Sequence, residues 1–268
     1  MRKIINIILV AIIIVCLSII GYKYYNYNKD DKLNSEIQDL QPVINEASDL
    51  DNNSSGENDG QDQSKEGNYV NSANEEELKS INSDYKMWIQ IENTNINYPV
   101  VQGSDNDYYL KHNFRKESNI SGTVFVESAN DIDNDKNIIL YGHNMRNGTM
   151  FNNITNYREE SFFNEDNKIN IIMNNTLYEY EAFSVYVKNV NEVNLAIGFA
   201  SEDEFINYAY NEAEESLYKK DVDFSAEDNL ITLVTCSYEF TDARTIVVAR
   251  RCNWYKALLY QNVVENII

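Results

Sequence analysis

Three residues in this chain have the types and spacing for nucleophilic and acid–base chemistry. Cys236 closes the β-branched run ITLVTC, Arg244 opens the run RTIVVARR, and the polar stretch SYEFTDA lies between them. If the two runs pair as a hairpin centred near Phe240, Cys236 faces Arg244, with Cβ atoms ~5 Å apart. A cation at that distance favours thiolate, the nucleophilic form of cysteine. His143 stands in GHNM directly after the apolar run NIILY. A strand end there would deliver an imidazole to a site as general acid and base. The chain has no G-x-S-x-G elbow and no phosphate-binding loop among its nine glycines, which leaves a Cys–His pair as its best nucleophile and acid/base.

Each of these residues also has a plainer use. Cys236 can serve as a small buried hydrophobe, Arg244 can bridge to Asp242 or Glu239, and His143 can sit in solvent. His112, in YLKHNF, is read as a surface or packing residue. With two histidines and no close Cys/His/Asp cluster, no metal or cofactor is expected. The remaining cysteines are Cys16, in an apolar N-terminal run, and Cys252. In the same hairpin register Cys252 faces Asp228, roughly 25 Å along the sheet from Cys236. A disulfide needs Cα atoms within about 7 Å.

The elements that must position these residues follow from composition and periodicity. IINIILVAIIIVCLSII, with Arg2 and Lys3 before it and no small-residue cleavage site after it, reads as an uncleaved signal anchor over 1–22. Cations on both flanks leave its orientation open. Residues 23–74 read as a disordered acidic stalk. From Asp30 to Ser80 there are 14 acids against three lysines, about half of the chain's net charge of −21. Such acidity excludes a nucleic-acid partner.

From Glu75 the pattern is globular. NEEELKSINSDY suits a short helix, WIQIENTNINYPVVQ two strands around an Asn-rich turn with Pro99 at a strand start or edge, and SDNDYYLKHNF a short helix. SGTVFVES, KNIILYGHN, KINIIM and TLYEYEAFSVYVKNV read as strands, with Gly142 letting the chain turn. MFNNITNYREESFFNED suits one or two helical turns. Ser201 and Glu204 form a capping box, and Phe205, Ala209, Ala213 and Leu217 share the face of the helix that follows. Many short strands with a few helices predict a mainly β, closed barrel with peripheral helices. The tail 252–268 has no assigned role.

NIILYGHNM around His143, TLVTCSYEF around Cys236 and DARTIVVARR around Arg244 resemble the sortases, specifically class B, and WIQIENTNINYPVVQGSDNDYYLKHNF resembles the entry segment of that class. The resemblance covers roughly residues 75–251. It implies an eight-stranded sortase barrel and a cysteine transpeptidase on the outside of a Gram-positive membrane, with the N-terminus inside. Its substrates would be secreted proteins bearing a sorting motif cleaved at a threonyl bond, and its acceptor a peptidoglycan or pilin amine. It implies that Cys236 attacks, His143 moves the proton and Arg244 holds the oxyanion or the peptide backbone. Thr235, Ser237 and Tyr238 then become candidates for substrate contact, and the segment 188–228 for motif choice. Two other readings share these residues: a catalytically silent binding module, and a cysteine peptidase that hydrolyses rather than transfers.

Overall fold

The computed structural model of the chain describes residues 2–42, 44–45, 69–70, 72–165 and 167–252. Eight strands close a barrel. They are β3 (Tyr85–Ile91), β4 (Asn97–Val101), β5 (Val124–Val126), β6 (Asn137–Tyr141), β7 (Ile169–Met173), β8 (Thr176–Asn189), β9 (Leu230–Cys236) and β10 (Ala243–Arg251). The order is β8-β10-β9-β6-β5-β4-β3-β7, and pairing of β7 with β8 completes the ring. Two short strands, β1 (Ile44–Asn45) and β2 (Tyr69–Val70), pair with each other and extend the sheet beyond β8. Four helices decorate it: α1 (Arg2–Gln38), α2 (Ser72–Ile81), α3 (Glu160–Asn164) and α4 (Glu202–Glu215).

The uniformly apolar runs of β6, β9 and β10 have a structural reason: both faces of these strands are covered. Ile138, Leu140, Ile231, Leu233, Val247 and Ala249 point into the barrel. The alternate residues Ile139, Leu230, Val234, Ile246 and Val248 pack outward against Phe205 and Ala209 of α4. Ser201 caps that helix by accepting from the Glu204 N–H, as its sequence requires. The helix ends at Glu215, short of the expected face residue Leu217, which is exposed.

Several other expectations are corrected. Pro99 lies inside a strand flanked on both sides by others. It is tolerated because β5 pairs with β4 only from Val100 onward, so no neighbour seeks an N–H at residue 99. Gly142 is needed for space rather than for a turn. A Cβ there would come within 2.7 Å of the Phe151 ring. The stretch around Tyr108–Leu110 is a single 3-10 turn.

The largest correction concerns the stalk. Beyond the apolar run, α1 continues unbroken to Gln38 and docks on the barrel. Leu33, Ile37 and Leu40, spaced i, i+4, i+7, pack with Leu78, Trp88 and Tyr109. Asp30, almost fully buried, accepts from the Asn119 amide and from the Ser121 hydroxyl at 2.9 Å. Gln38 Nε2 donates to the Asn97 carbonyl at 2.9 Å, and Asn74 Nδ2 to the Gln41 carbonyl at 2.8 Å. The acidic sequence 46–68 and the tail 253–268 lie outside the described residues; both ends of the former are paired to each other through β1 and β2.

Candidate active site

The hairpin register is the expected one: Arg244 pairs with Cys236, Thr245 with Thr235 and Ile246 with Val234. The partner of β9 on its other side is β6, running parallel, and their last pair is Tyr141 with Val234. Gly142 N–H still donates to the Val234 carbonyl at 3.2 Å. His143 therefore stands two residues past that pair on one strand, and Cys236 two residues past it on the other. Side chains alternate along a strand. Cys236 has the parity of Val234, Arg244 that of Ile246, and His143 that of Ile139. Cys236 and Arg244 thus belong to the outer face of the sheet, at one end of the barrel, and His143 follows the end of β6 at that same end. Each is half-buried.

Local hydrogen bonds fix the three groups. The His143 loop is closed by Phe151 N–H donating to the His143 carbonyl at 2.9 Å and by a bridge between Asn144 and Met150. The imidazole Nε2 lies 2.8 Å from the Leu110 carbonyl oxygen. Asn144, buried next to the histidine, ties the two strand ends together. Its Nδ2 donates to the Cys236 carbonyl at 2.9 Å, its Oδ1 accepts from Asn152 Nδ2 at 2.7 Å, and its backbone carbonyl accepts from the Tyr238 hydroxyl at 2.9 Å. Among the described residues no hydrogen bond joins the thiol of Cys236 to His143.

Among the described residues Arg244 makes no ion pair with Glu239 or Asp242. Glu239 is taken by Arg158 and by the Ser237 hydroxyl. The Arg244 Nη1 instead donates to the Ala243 carbonyl at 3.0 Å, the same oxygen that accepts the Ser237 N–H at 2.8 Å. The Ser237 amide is thus already engaged, while the guanidinium, on the residue paired with Cys236, keeps further N–H donors. The residue opposite Arg244 on β8 is Lys188, whose charge is met by Glu215 of α4 at 2.8 Å.

Thr235 and Ser237 do not take the substrate-facing places expected of them. Both have the opposite parity to Cys236. The Thr235 hydroxyl is buried and donates to the Gly142 carbonyl at 2.7 Å, while that of Ser237 accepts from Thr245 at 3.0 Å. They hold the strand end and the histidine loop in place. Tyr238 does lie at the rim, 64% exposed, with Arg146 over its ring. His112 stacks on Tyr108 at 3.9 Å, away from the thiol strand. Cys252 is placed as expected, at the far end of β10, where its N–H donates to the Glu179 carbonyl. Sequence reasoning missed Asn144, Leu110 and Arg158. Asn144 had one visible signal, a carboxamide adjoining the histidine; the other two act through a backbone carbonyl and a long-range ion pair.

Comparison with known proteins agrees with this geometry. The sortase-domain family pattern matches residues 89–252. Sortase B of Listeria monocytogenes is 35% identical over 164 residues, covering 61% of this chain and 67% of that protein. The crystal structure of Clostridium perfringens sortase B superposes with a TM-score of 0.65 at 43% identity, covering 67% of this chain and 100% of that one. Sortase B from Bacillus anthracis, in complex with AAEK1, gives a TM-score of 0.69 at 29% identity over 86% of this chain and 99% of that one. With its closed eight-stranded barrel and these relatives, the chain belongs to the sortase family, class B, the cysteine transpeptidases that cleave sorting motifs.

Proposed function

We propose that Cys236, His143 and Arg244 carry the transpeptidase reaction of this chain. The observation that supports this most directly is that three adjoining strand ends carry a thiol, an imidazole and a guanidinium at one end of the barrel. The Cys236 sulfur attacks the threonyl carbonyl of the sorting motif, and its proton passes to His143. Charge develops on the carbonyl oxygen, where the Arg244 fork donates to it. The intermediate collapses to a thioester as His143 gives the proton to the departing amine. A cell-wall or pilin amine then attacks the thioester, losing its proton to His143, and the thiol is regenerated.

The N-terminal half of α1 serves this reaction as a membrane anchor. It has the length and hydropathy to cross a bilayer, and its side chains from Ile4 to Tyr25 are exposed. Contiguous apolar surface of that extent needs an apolar surrounding. The catalytic domain then lies outside the cell, where secreted substrates and wall amines meet it.

The test is peptide cleavage by Cys236→Ala and Cys252→Ala variants, with products analysed with and without an added amine. Cleavage is expected to vanish in the first and persist in the second, and the amine is expected to appear in the product. Equal loss from both substitutions would refute the assignment; a product unchanged by amine would favour hydrolysis.

A further inference from the structure

We infer that His143 is held as its Nε2–H tautomer, that Nδ1 is the nitrogen that takes and gives the proton, and that Gly122 is the positioning residue that permits this. The partner of Nε2, 2.8 Å away, is the Leu110 carbonyl oxygen. A carbonyl oxygen has lone pairs and no hydrogen to offer, so the nitrogen facing it must carry one. In a neutral imidazole the other nitrogen, Nδ1, then holds the free lone pair. When Nδ1 accepts a proton, Nε2–H continues to donate to Leu110. The carbonyl dipole thus supports the charged ring in the place where a catalytic triad has a carboxylate.

Leu110 can reach His143 because of how its own loop is folded. The 3-10 turn Tyr108–Leu110 is tied to the strand beyond it by Thr123 N–H donating to the Tyr109 carbonyl at 3.0 Å, and by Asn119 N–H donating to the Lys111 carbonyl at 2.8 Å. Gly122 lies directly against this turn with φ +62°. A Cβ at that position would stand 3.1 Å from both the carbon and the oxygen of the Leu110 carbonyl, and closer still to the Tyr109 oxygen. Glycine is therefore required twice over, for the left-handed backbone and for the close approach.

The chain carries its own reference for this tautomer. Its second histidine, His112, has Nδ1 at 2.7 Å from the Tyr108 carbonyl oxygen. The same reasoning makes it an Nδ1–H tautomer. Two histidines, one of each kind, give a spectrum that can be assigned without ambiguity.

The inference rests on the acid/base role proposed for His143, but the tautomer is measured without reference to activity. The experiment is a multiple-bond proton–nitrogen correlation of the full chain, imidazole-¹⁵N labelled, in detergent micelles at alkaline pH. One Nε2–H and one Nδ1–H pattern are expected, with the Nδ1–H pattern lost in His112→Gln. Gly122→Ala is expected to move the remaining histidine away from pure Nε2–H and to lower kcat on the order of 10²-fold, as for other misplaced catalytic groups. An Nδ1–H pattern for His143 in the unmodified chain would overturn the inference, as would a Gly122→Ala enzyme with unchanged tautomer and rate. Should Gly122→Ala not fold, the unmodified spectrum decides alone. Full activity of His143→Ala would instead refute the acid/base role and leave the tautomer result standing.

Discussion

Replacing Asn144 with alanine separates the site from the scaffold that holds it. The side chain makes two hydrogen bonds, to the Cys236 carbonyl at 2.9 Å and from Asn152 at 2.7 Å. Each contributes about 0.5–1.5 kcal/mol net, and a buried carbonyl left without a donor adds to the loss. The expected destabilisation is therefore about 2–3 kcal/mol. For a domain of this size that lowers Tm by roughly 4–12 °C. Such a loss leaves the enzyme fully folded at 25 °C and cannot by itself change kcat. Asn144 also sets the spacing between the histidine loop and the thiol strand, so a fall in kcat of at least tenfold is expected, on the order of what a modest misplacement costs. Asn144→Asp keeps the acceptor for Asn152 but sets a negative charge beside Cys236, which disfavours thiolate. Its labelling by a methanethiosulfonate reagent should be slower than that of the alanine variant. The assays are thermal unfolding, steady-state peptide cleavage and thiol-labelling rate on the same preparations. If Asn144→Ala shows the Tm loss with kcat within twofold of the parent, the residue braces the fold and does not position the chemistry.

Two further perturbations are informative. Arg244→Lys should keep the fold and the labelling of Cys236 yet lose on the order of 10²-fold in kcat/KM, because an ammonium cannot reproduce the two-pronged donor; a variant within about threefold would reduce Arg244 to a neighbouring charge. Glu212, a buried residue of α4 that accepts from the Tyr186 hydroxyl at 2.8 Å, has its carboxyl pushed up from the ordinary range, chiefly by burial. A raised acid keeps its proton in the folded chain after the unfolded chain has lost it, so stability falls as pH rises from the ordinary glutamate value of 4.5 to the raised one. The Tm of Glu212→Gln, followed against pH, should fall less across that window than the Tm of the parent, and parallel curves would refute the account.

How much of this was legible in the sequence depended on the range of the interaction. The pairing of Cys236 with Arg244 could be read because period-two runs and a short polar break fix a hairpin register within one stretch. The barrel could be read from the count of short strands. The nearness of His143 to Cys236 could only be conjectured, because it rests on parallel pairing of β6 with β9, strands far apart in the chain. For Thr235 and Ser237, closeness to Cys236 in sequence does not tell which way a side chain faces, because in a strand the adjacent residue faces the other way. Around Leu33, Ile37 and Leu40 the signal was present but faint. Their helical spacing sits among acids and amides, and average composition hides a stripe of three residues.

The docking of α1 changes what the acidic sequence can do for the enzyme. A disordered stalk would let the catalytic domain wander through a hemisphere whose radius grows with linker length. Here the apolar run continues into a helical segment that docks on the domain, and β1 and β2, on either side of residues 46–68, pair with each other. If α1 is the anchor proposed above, residues added between β1 and β2 would leave the height of the site above the bilayer unaltered. A single residue inserted between Tyr22 and Asp30 would lift the domain by about 1.5 Å and turn it by roughly 100° about the helix axis. With α1 as the anchor proposed above, the bearing of the domain toward the membrane plane would be set by helical phase, and substrates would come to a site of fixed azimuth.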